Sequence, residues 1–338
     1  MKGTDLPAGE RGAFDPEARR SPTLPSRYYH DAEIHRRELQ AIFHRSWCYV
    51  GHASQLARPG DYRVEQVADQ CILLLRDRES RLRAFFNVCQ HRGHQLLSGV
   101  GSGKKHIVCP YHAWSYGLDG QLVQAPHTEQ LEGFEAADFA LQPVRLAECA
   151  GLLFANLDAA ATDFEREYPG LEETITASLP DHGQLVAAHQ FDFDIAANWK
   201  IVVDNFSEGY HIPVAHRLLS QVLDNTTGSC RRRESRYAFF ESRSKAGYDG
   251  DRIDAGSPYR SWTIWPNTCM LSLPGCENLV VIRMAADGPG RCREHADLLA
   301  APNAPAEPLQ AVRKLFAEQF NAEDIAIVES VHRGLQSL

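Results

Sequence analysis

Cys89-Gln90-His91-Arg92-Gly93 and, further along, Cys109-Pro110-Tyr111-His112-Ala113-Trp114 are the stretches that decide how this chain is read. Together they spell C-x-H, seventeen intervening residues, then C-x2-H. Each segment offers one thiolate sulfur and one imidazole nitrogen, so two loops brought side by side would hold one metal centre with four protein ligands.

Three outcomes compete. In a Rieske [2Fe–2S] cluster two thiolates hold one iron and two histidines hold the other, which fits two mixed pairs. A structural zinc site uses the same ligand types, but finger-like sites pair like with like, as C-x2-C and H-x3-H. The third outcome is scatter, in a chain with nine Cys and fifteen His. The flanking residues decide: both segments resemble the two cluster loops of Rieske oxygenases almost position by position.

A second constellation lies downstream. Glu208, His211 and His216 form E-x2-H-x4-H, preceded by Asn198-Trp199-Lys200 and Asp204-Asn205. On a helix, positions 208 and 211 share a face, and a bend near Pro213 would bring His216 to the same metal. Two histidines and one carboxylate with open positions remaining is the facial triad of non-haem Fe(II) oxygenases. The third ligand must come from elsewhere, and Asn321-Ala322-Glu323-Asp324-Ile325 offers an acidic pair opening the last helix. Alone, Glu323 and Asp324 read as acids favouring the positive end of that helix. Beside the histidine pair, Asp324 is the favoured ligand, with Glu323 the alternative.

Around these motifs the chain divides by texture. Residues 1–26 are rich in charge, Pro and Gly and read as a loose arm. Asp31 opens an amphipathic helix with Ile34, Leu39, Ile42 and Phe43 near helical spacing. Short β-like runs follow at 71–76 and 81–89 with turn signals at Asp77–Ser80 and Asp119-Gly120, a texture that suggests a small antiparallel β domain over about 45–158, and cluster ligands at the tips of two hairpins would fit it. Past Asp158 come one surface helix, a strand through HQFDFDIAANW, a second helix carrying DNFSEGYHIPVAH, strands near 269–273, 279–284 and 293–300, and a helix from Pro308 to Gly334. The layout is α+β, divided as 1–44 arm and helix, 45–158 cluster domain and 159–338 mononuclear iron domain.

At 338 residues with 43% hydrophobic content the chain can bury a core for two domains. A net charge of −9 argues against nucleic acid. The basic run Arg231-Arg232-Arg233 reads as a solvated loop, or as a dock for an acidic electron-transfer protein. No apolar run of about eighteen residues and no signal-peptide layout is present, so the expectation is a soluble cytoplasmic protein that does not engage a membrane. Cys48, Cys71, Cys149, Cys230, Cys269, Cys276 and Cys292 read as reduced, small core residues.

On both motifs together, the chain from about Tyr28 to its end resembles the catalytic (alpha) subunit of a Rieske non-haem iron oxygenase. The resemblance implies an N-terminal antiparallel β Rieske [2Fe–2S] domain followed by a helix-grip (START-like) catalytic domain with a curved antiparallel sheet. It implies a cluster on Cys89, His91, Cys109 and His112, an Fe(II) on His211, His216 and Asp324, and a homotrimer in which the working pair of centres spans two subunits. Electrons come from NAD(P)H through a separate reductase, with or without a ferredoxin, and O2 and a small organic substrate meet at the iron. Glu208 stands where the family places its acid bridge, from His112 of one subunit to His211 of the next, with Asn205 beside it in the catalytic set.

Two departures matter. Most ring-hydroxylating members carry Asp at the bridge position, whereas relatives acting on quaternary amines, such as carnitine and glycine-betaine oxygenases, carry Glu in a similar D-N-x-x-E-x-Y-H run. Related chains also usually continue beyond the G-L-x-S element seen at Gly334–Ser337, so the tail is either missing or closed differently. The activity implied is hydroxylation or oxidative demethylation of an alkyl or quaternary ammonium compound, with aromatic-ring hydroxylation as the alternative. A Rieske electron carrier with an inert second site and a zinc-stabilised binding protein rank below both. Phe206, Tyr210, Tyr259, Trp262 and Trp265 are candidate pocket residues, since aromatic faces bind quaternary ammonium groups by cation–π attraction; each one singly could equally fill the core.

Overall fold

The structure, a computed structural model, describes residues 22–223, 229–232, 236–242, 258–273 and 277–337, with 17, 19 and 20. The arm expected over 1–26 falls largely outside the described residues. The Asp31 carboxylate caps helix α1 (Ala32–Glu38), accepting from the N–H groups of Glu33 at 2.7 Å and Ile34 at 3.0 Å. The path continues through a wider turn over Leu39–Phe43. Phe43 packs edge-on against Trp199, centroids 4.9 Å apart. Glu38, buried at the end of α1, accepts from Trp199 Nε1 at 2.9 Å and Lys200 Nζ at 2.8 Å.

Ten strands follow: β1 (Cys48–His52), β2 (Tyr62–Val67), β3 (Gln70–Arg76), β4 (Leu82–Phe86), β5 (Val100–Gly101), β6 (Ile107–Val108), β7 (Ser115–Tyr116), β8 (Leu122–Gln124), β9 (Arg145–Cys149) and β10 (Leu152–Asn156). They form antiparallel sheets of order β1-β10-β9, β4-β3-β2-β5 and β6-β7-β8. The unbroken apolar run of β3 has a physical reason. Ile72 and Leu74 face the main core while Leu73 and Leu75 face the core under the cluster loops. A strand covered on both faces shows no alternation, and burying each such side chain contributes about 1.5–3 kcal/mol. The Asp119-Gly120 turn between β7 and β8 needs glycine: φ is +87°, and a Cβ there would lie 2.5 Å from the Phe85 ring.

The single surface helix expected after Asp158 is two short helices, α2 (Phe164–Glu167) and α3 (Leu171–Ser178), and their apolar side is core. Pro169 and Gly170, the latter at φ +79°, break the run, and Phe164, Tyr168, Leu171 and Ile175 are buried. Strand β11 (Val186–Ile195) leads to α4 (Trp199–Phe206), α5 (Ile212–Ala215) and α6 (Arg217–Val222). Strands β12 (Ser229–Arg232), β13 (Tyr237–Ser242), β14 (Tyr259–Ile264), β15 (Thr268–Ser272), β16 (Asn278–Ala286) and β17 (Cys292–Ala300) complete a seven-stranded antiparallel sheet of order β11-β17-β16-β15-β14-β13-β12. Arg231 and Arg232 therefore belong to an edge strand paired with Phe239 and Ala238, not to a loop as expected; Arg233 lies outside the described residues.

The tail is one helical path, α7 (Ala306–Lys314), a wider π turn over Leu315–Phe320, then α8 (Asn321–Leu335). It lies with α4 on one face of the sheet, where Val312, Phe316 and Val328 pack with Ile282, Met284 and Leu298. Charged groups tie the N-terminal β sheets to this sheet. Asp297 of β17 accepts from Tyr49 Oη at 2.7 Å, Gln55 Nε2 at 2.9 Å and Gln190 Nε2 at 2.8 Å. Arg283 of β16 donates to the Tyr49 carbonyl at 3.1 Å and to Glu65 at 2.8 Å. Among the described residues no helix is long and apolar enough to cross a membrane. Cys48, Cys149, Cys269 and Cys292 are buried and Cys71 half-buried, all as free thiols; the side chains of Cys230 and Cys276 lie outside the described residues.

Candidate metal centres

The two Cys–His segments fold as near copies of each other. In the first, Gly93 N–H donates to the Cys89 carbonyl and Cys89 N–H to the His94 carbonyl, both at 2.9 Å. In the second, Ala113 N–H donates to Cys109 O at 3.0 Å and Cys109 N–H to Trp114 O at 2.8 Å. The fifth residue of each loop takes positive φ, +72° at Gly93 and +56° at Ala113. Two matching turns thus set the cysteines inward and the histidines beside each other.

Cys89 and Cys109 are each 2% exposed, and the His91 and His112 rings meet edge-on with centroids 4.6 Å apart. His91 stacks on Trp114 at 4.8 Å, with planes 8° apart. Tyr116 approaches Cys89 Sγ at 3.3 Å through its hydroxyl, which also accepts from the Gln90 N–H at 3.0 Å. Burial pushes the Cys89 thiol up, with the Tyr116 hydroxyl acting in the opposite direction. His91 Nδ1 is enclosed and has no hydrogen-bond partner. A buried, unmet ring nitrogen beside two buried sulfurs is a donor set awaiting a soft metal group, which fits a [2Fe–2S] cluster.

The second constellation also assembles, by a different route from the one expected. Helix α4 ends at Phe206, so Glu208 and His211 sit in the turn before α5 and do not share a helix face. Pro213 lies within the first turn of α5, and the bend falls instead at His216, φ −106° and ψ 80°. Glu208 caps this turn, accepting from Tyr210 N–H at 2.7 Å and contacting His211 Nδ1. His211 Nε2 and His216 Nε2 are 3.2 Å apart, and Asp324 Oδ1 lies 3.0 Å from His216 Nε2 and 3.6 Å from His211 Nε2. One ligand atom from each of the three residues lies within 4.8 Å of the others, compatible with one shared ion at bond lengths of about 2 Å.

Glu323 takes the other side, pairing with His216 Nδ1 at 2.7 Å. Asn205 Nδ2 donates to Asp324 Oδ1 at 2.8 Å. The helix-end reading of the acidic pair fails, because α8 continues directly from the turn over Leu315–Phe320 and has no free N-terminus there. Burial disfavours a charged His216 ring, but Asp324 and Glu323 outweigh it and raise its pKa. A site whose field favours positive charge suits a divalent cation.

Of the aromatic candidates, Phe206 and Tyr259 line the cavity beside these ligands, with Phe316, Phe320, Ile212 and Leu219. Three do not. Trp262 is fully buried with Phe239 and Met270 in the core on the other face of the sheet. Trp265 is 40% exposed at the end of β14, and Tyr210 is 84% exposed. Sequence reasoning missed Tyr116, Asn321 and the pairing of Glu323 with His216; no spacing rule marks them.

Comparison with known proteins gives this geometry its class. Residues 46–135 match the Rieske [2Fe-2S] domain, and residues 183–338 match the ring hydroxylating alpha subunit (catalytic domain). The carnitine monooxygenase oxygenase subunit of Acinetobacter baumannii is 34% identical over 318 residues, covering 93% of this chain and 85% of its own length. The chloroplastic choline monooxygenase of Arabidopsis thaliana is 30% identical, covering 96% of this chain and 79% of its own length. A solved quaternary ammonium Rieske monooxygenase, described for carnitine oxidation by gut microbiota and inter-subunit electron transfer, superposes with a TM-score of 0.86 at 31% identity, covering 94% of this chain and 86% of that one. The chain belongs to the Rieske non-haem iron oxygenases, as an oxygenase (alpha) subunit. Its cofactors are a Rieske [2Fe–2S] cluster and a mononuclear iron, with electrons from NAD(P)H delivered by a reductase, and it binds O2 and a small-molecule substrate.

Proposed function

We propose that this oxygenase hydroxylates or oxidatively demethylates a quaternary ammonium compound. The observation carrying the reading is Glu208: a glutamate, not the aspartate of most ring-hydroxylating members, in contact with His211 and within the D-N-x-x-E-x-Y-H run. Relatives named for carnitine and choline support the same class. Phe206 and Tyr259 offer aromatic faces to a cation in the cavity.

The residues divide the work as follows. Cys89, His91, Cys109 and His112 hold the cluster, and Tyr116 donates toward the Cys89 sulfur, which tunes it. His211, His216 and Asp324 hold the iron, while Asn205 and Glu323 fix the orientations of Asp324 and His216. When bound, the cluster supplies single electrons and the ferrous ion supplies dioxygen activation. Glu208 holds His211 in one tautomer, Nδ1–H toward the carboxylate and Nε2 toward the metal. The apolar walls Phe316, Phe320, Ile212 and Leu219 exclude water.

The chain works as a cytoplasmic homotrimer, divided as 1–44, 45–158 and 159–338, in which Glu208 receives His112 of the neighbouring subunit. Tyr111 at the cluster tip is 56% exposed and Tyr210 and Val214 beside Glu208 are each 84% exposed, large apolar groups suited to cover one another between subunits. The test is substrate-dependent oxygen uptake by the purified protein with a generic reductase and NADH. Trimethylammonium compounds stimulate uptake on this reading; stimulation by aromatic compounds alone would replace it with ring hydroxylation.

A further inference from the structure

Glu294 of β17 is a fully enclosed carboxyl, on the sheet face that carries Cys292, Ala296 and Leu298 against the helices. Asn321 Nδ2 donates to its Oε1 at 2.8 Å. The remaining oxygens, Glu294 Oε2 and Asn321 Oδ1, are both enclosed and both without a partner. An ionised carboxylate and a carboxamide oxygen only accept, so an anionic Glu294 would leave two buried acceptors unmet. One proton on Oε2 removes both defects if it is donated to Asn321 Oδ1.

We propose that Glu294 and Asn321 form a neutral acid–amide pair, joined by a proton between Glu294 Oε2 and Asn321 Oδ1, that fixes the wall of the oxygenase cavity. Asn321 lines that cavity one helical turn before Asp324. Glu294 is a positioning residue acting through it. The neutral pair also puts no second negative charge behind Asp324. The surroundings agree: burial, and then the nearby Asp324 charge, push the Glu294 carboxyl up to about 8 against the Asn321 hydrogen bond. The other titratable groups that sense it are Cys269 of β15 and Cys292 of β17, whose thiols burial also pushes up and keeps neutral.

The pair's place beside the iron rests on the function proposed above, but its protonation does not, and two measurements separate them. The first compares unfolding midpoints of the holoprotein with those of Glu294→Gln from about pH 5 to about pH 9. Gln reproduces the neutral acid, one donor and one acceptor. An acid whose folded pKa is raised loses stability as pH climbs from its unfolded value toward its folded one. The Gln variant therefore gains on the wild type by up to about tenfold in folded-to-unfolded ratio per pH unit, levelling off above about pH 8. Parallel curves overturn the proton. The second compares turnover: Glu294→Leu raises KM or lowers kcat several-fold and Glu294→Gln restores it at neutral pH. Equal loss in both variants overturns the positioning role. If Glu294→Leu does not fold, equal turnover by Glu294→Gln and the wild type stands for the role, and a several-fold loss in Glu294→Gln stands against it.

Discussion

Glu208 and Asp324 lie on opposite sides of the His211 ring, Glu208 in contact with Nδ1 and Asp324 Oδ1 at 3.6 Å from Nε2. One imidazole thus joins the carboxylate at the subunit surface to the metal side of the site. That arrangement makes the two carboxylates separable by experiment.

Replacing Glu208 with Gln keeps the shape but removes the anion that orients His211. Iron content should stay near that of the wild type while turnover falls roughly 10- to 100-fold, as outer-partner substitutions generally do. Metal analysis beside steady-state oxygen uptake checks both halves. Loss of iron in this variant would make Glu208 a ligand and not a bridge.

Asp324→Ala should act on the metal. Iron should drop from about three atoms per subunit, two in the cluster and one mononuclear, to about two, with the cluster spectrum unchanged. Glu323→Gln should keep about three, because Glu323 faces His216 Nδ1 and not the shared centre. A reversed result would exchange the roles of the two neighbouring acids.

Cys109→Ser should bleach the protein and abolish the reduced-cluster EPR signal while the mononuclear iron is retained. The two ligand sets sit on separate elements, one on the loops between β4 and β5 and between β6 and β7 and the other between α4 and α8, so loss of one need not empty the other. Loss of all iron from this variant would contradict that separation.

Asp297→Ala should cost about 1–3 kcal/mol of unfolding free energy, since it strands the buried Tyr49 hydroxyl, while the half-buried Gln55 and the exposed Gln190 can turn to water. Glu65 in the same network carries the pH dependence. Burial alone would raise its pKa, but the Arg283 and Arg63 guanidiniums together pull it below the ordinary glutamate value. The folded pKa is depressed, so this contribution is present above about 4.5 and lost as pH falls through the folded value. Denaturant titration across the acid range reads it, and an Arg283→Met variant should show a shallower acid limb. Equal limbs would remove Glu65 from the account.

The sequence was most informative where chemistry demands particular residue types. The mixed Cys–His pairs fold into matching turns, and the apolar run of β3 is a strand buried on both faces. His211, His216 and Asp324 come together although 108 residues separate the last two. What could not be read was facing. Tyr259 and Trp262 are three apart on one strand and so point to opposite sides of the sheet, and aromatic character does not say which side holds the cavity. The end of α4 at Phe206 was likewise hidden beneath a helical spacing that the turn also satisfies. Glu323 and Asp324 are neighbours with equal chemistry, and only the helix path from α7 aims one at each nitrogen of His216.

The most direct test follows the electron. The wild-type protein is reduced anaerobically, and cluster reoxidation is followed optically after adding O2 with and without a trimethylammonium substrate. Fast reoxidation and oxygenated product are expected only when substrate and O2 are both present, and neither in His211→Ala. Reoxidation at the same rate in His211→Ala, or without substrate, would mean that the cluster does not feed the site at His211, His216 and Asp324.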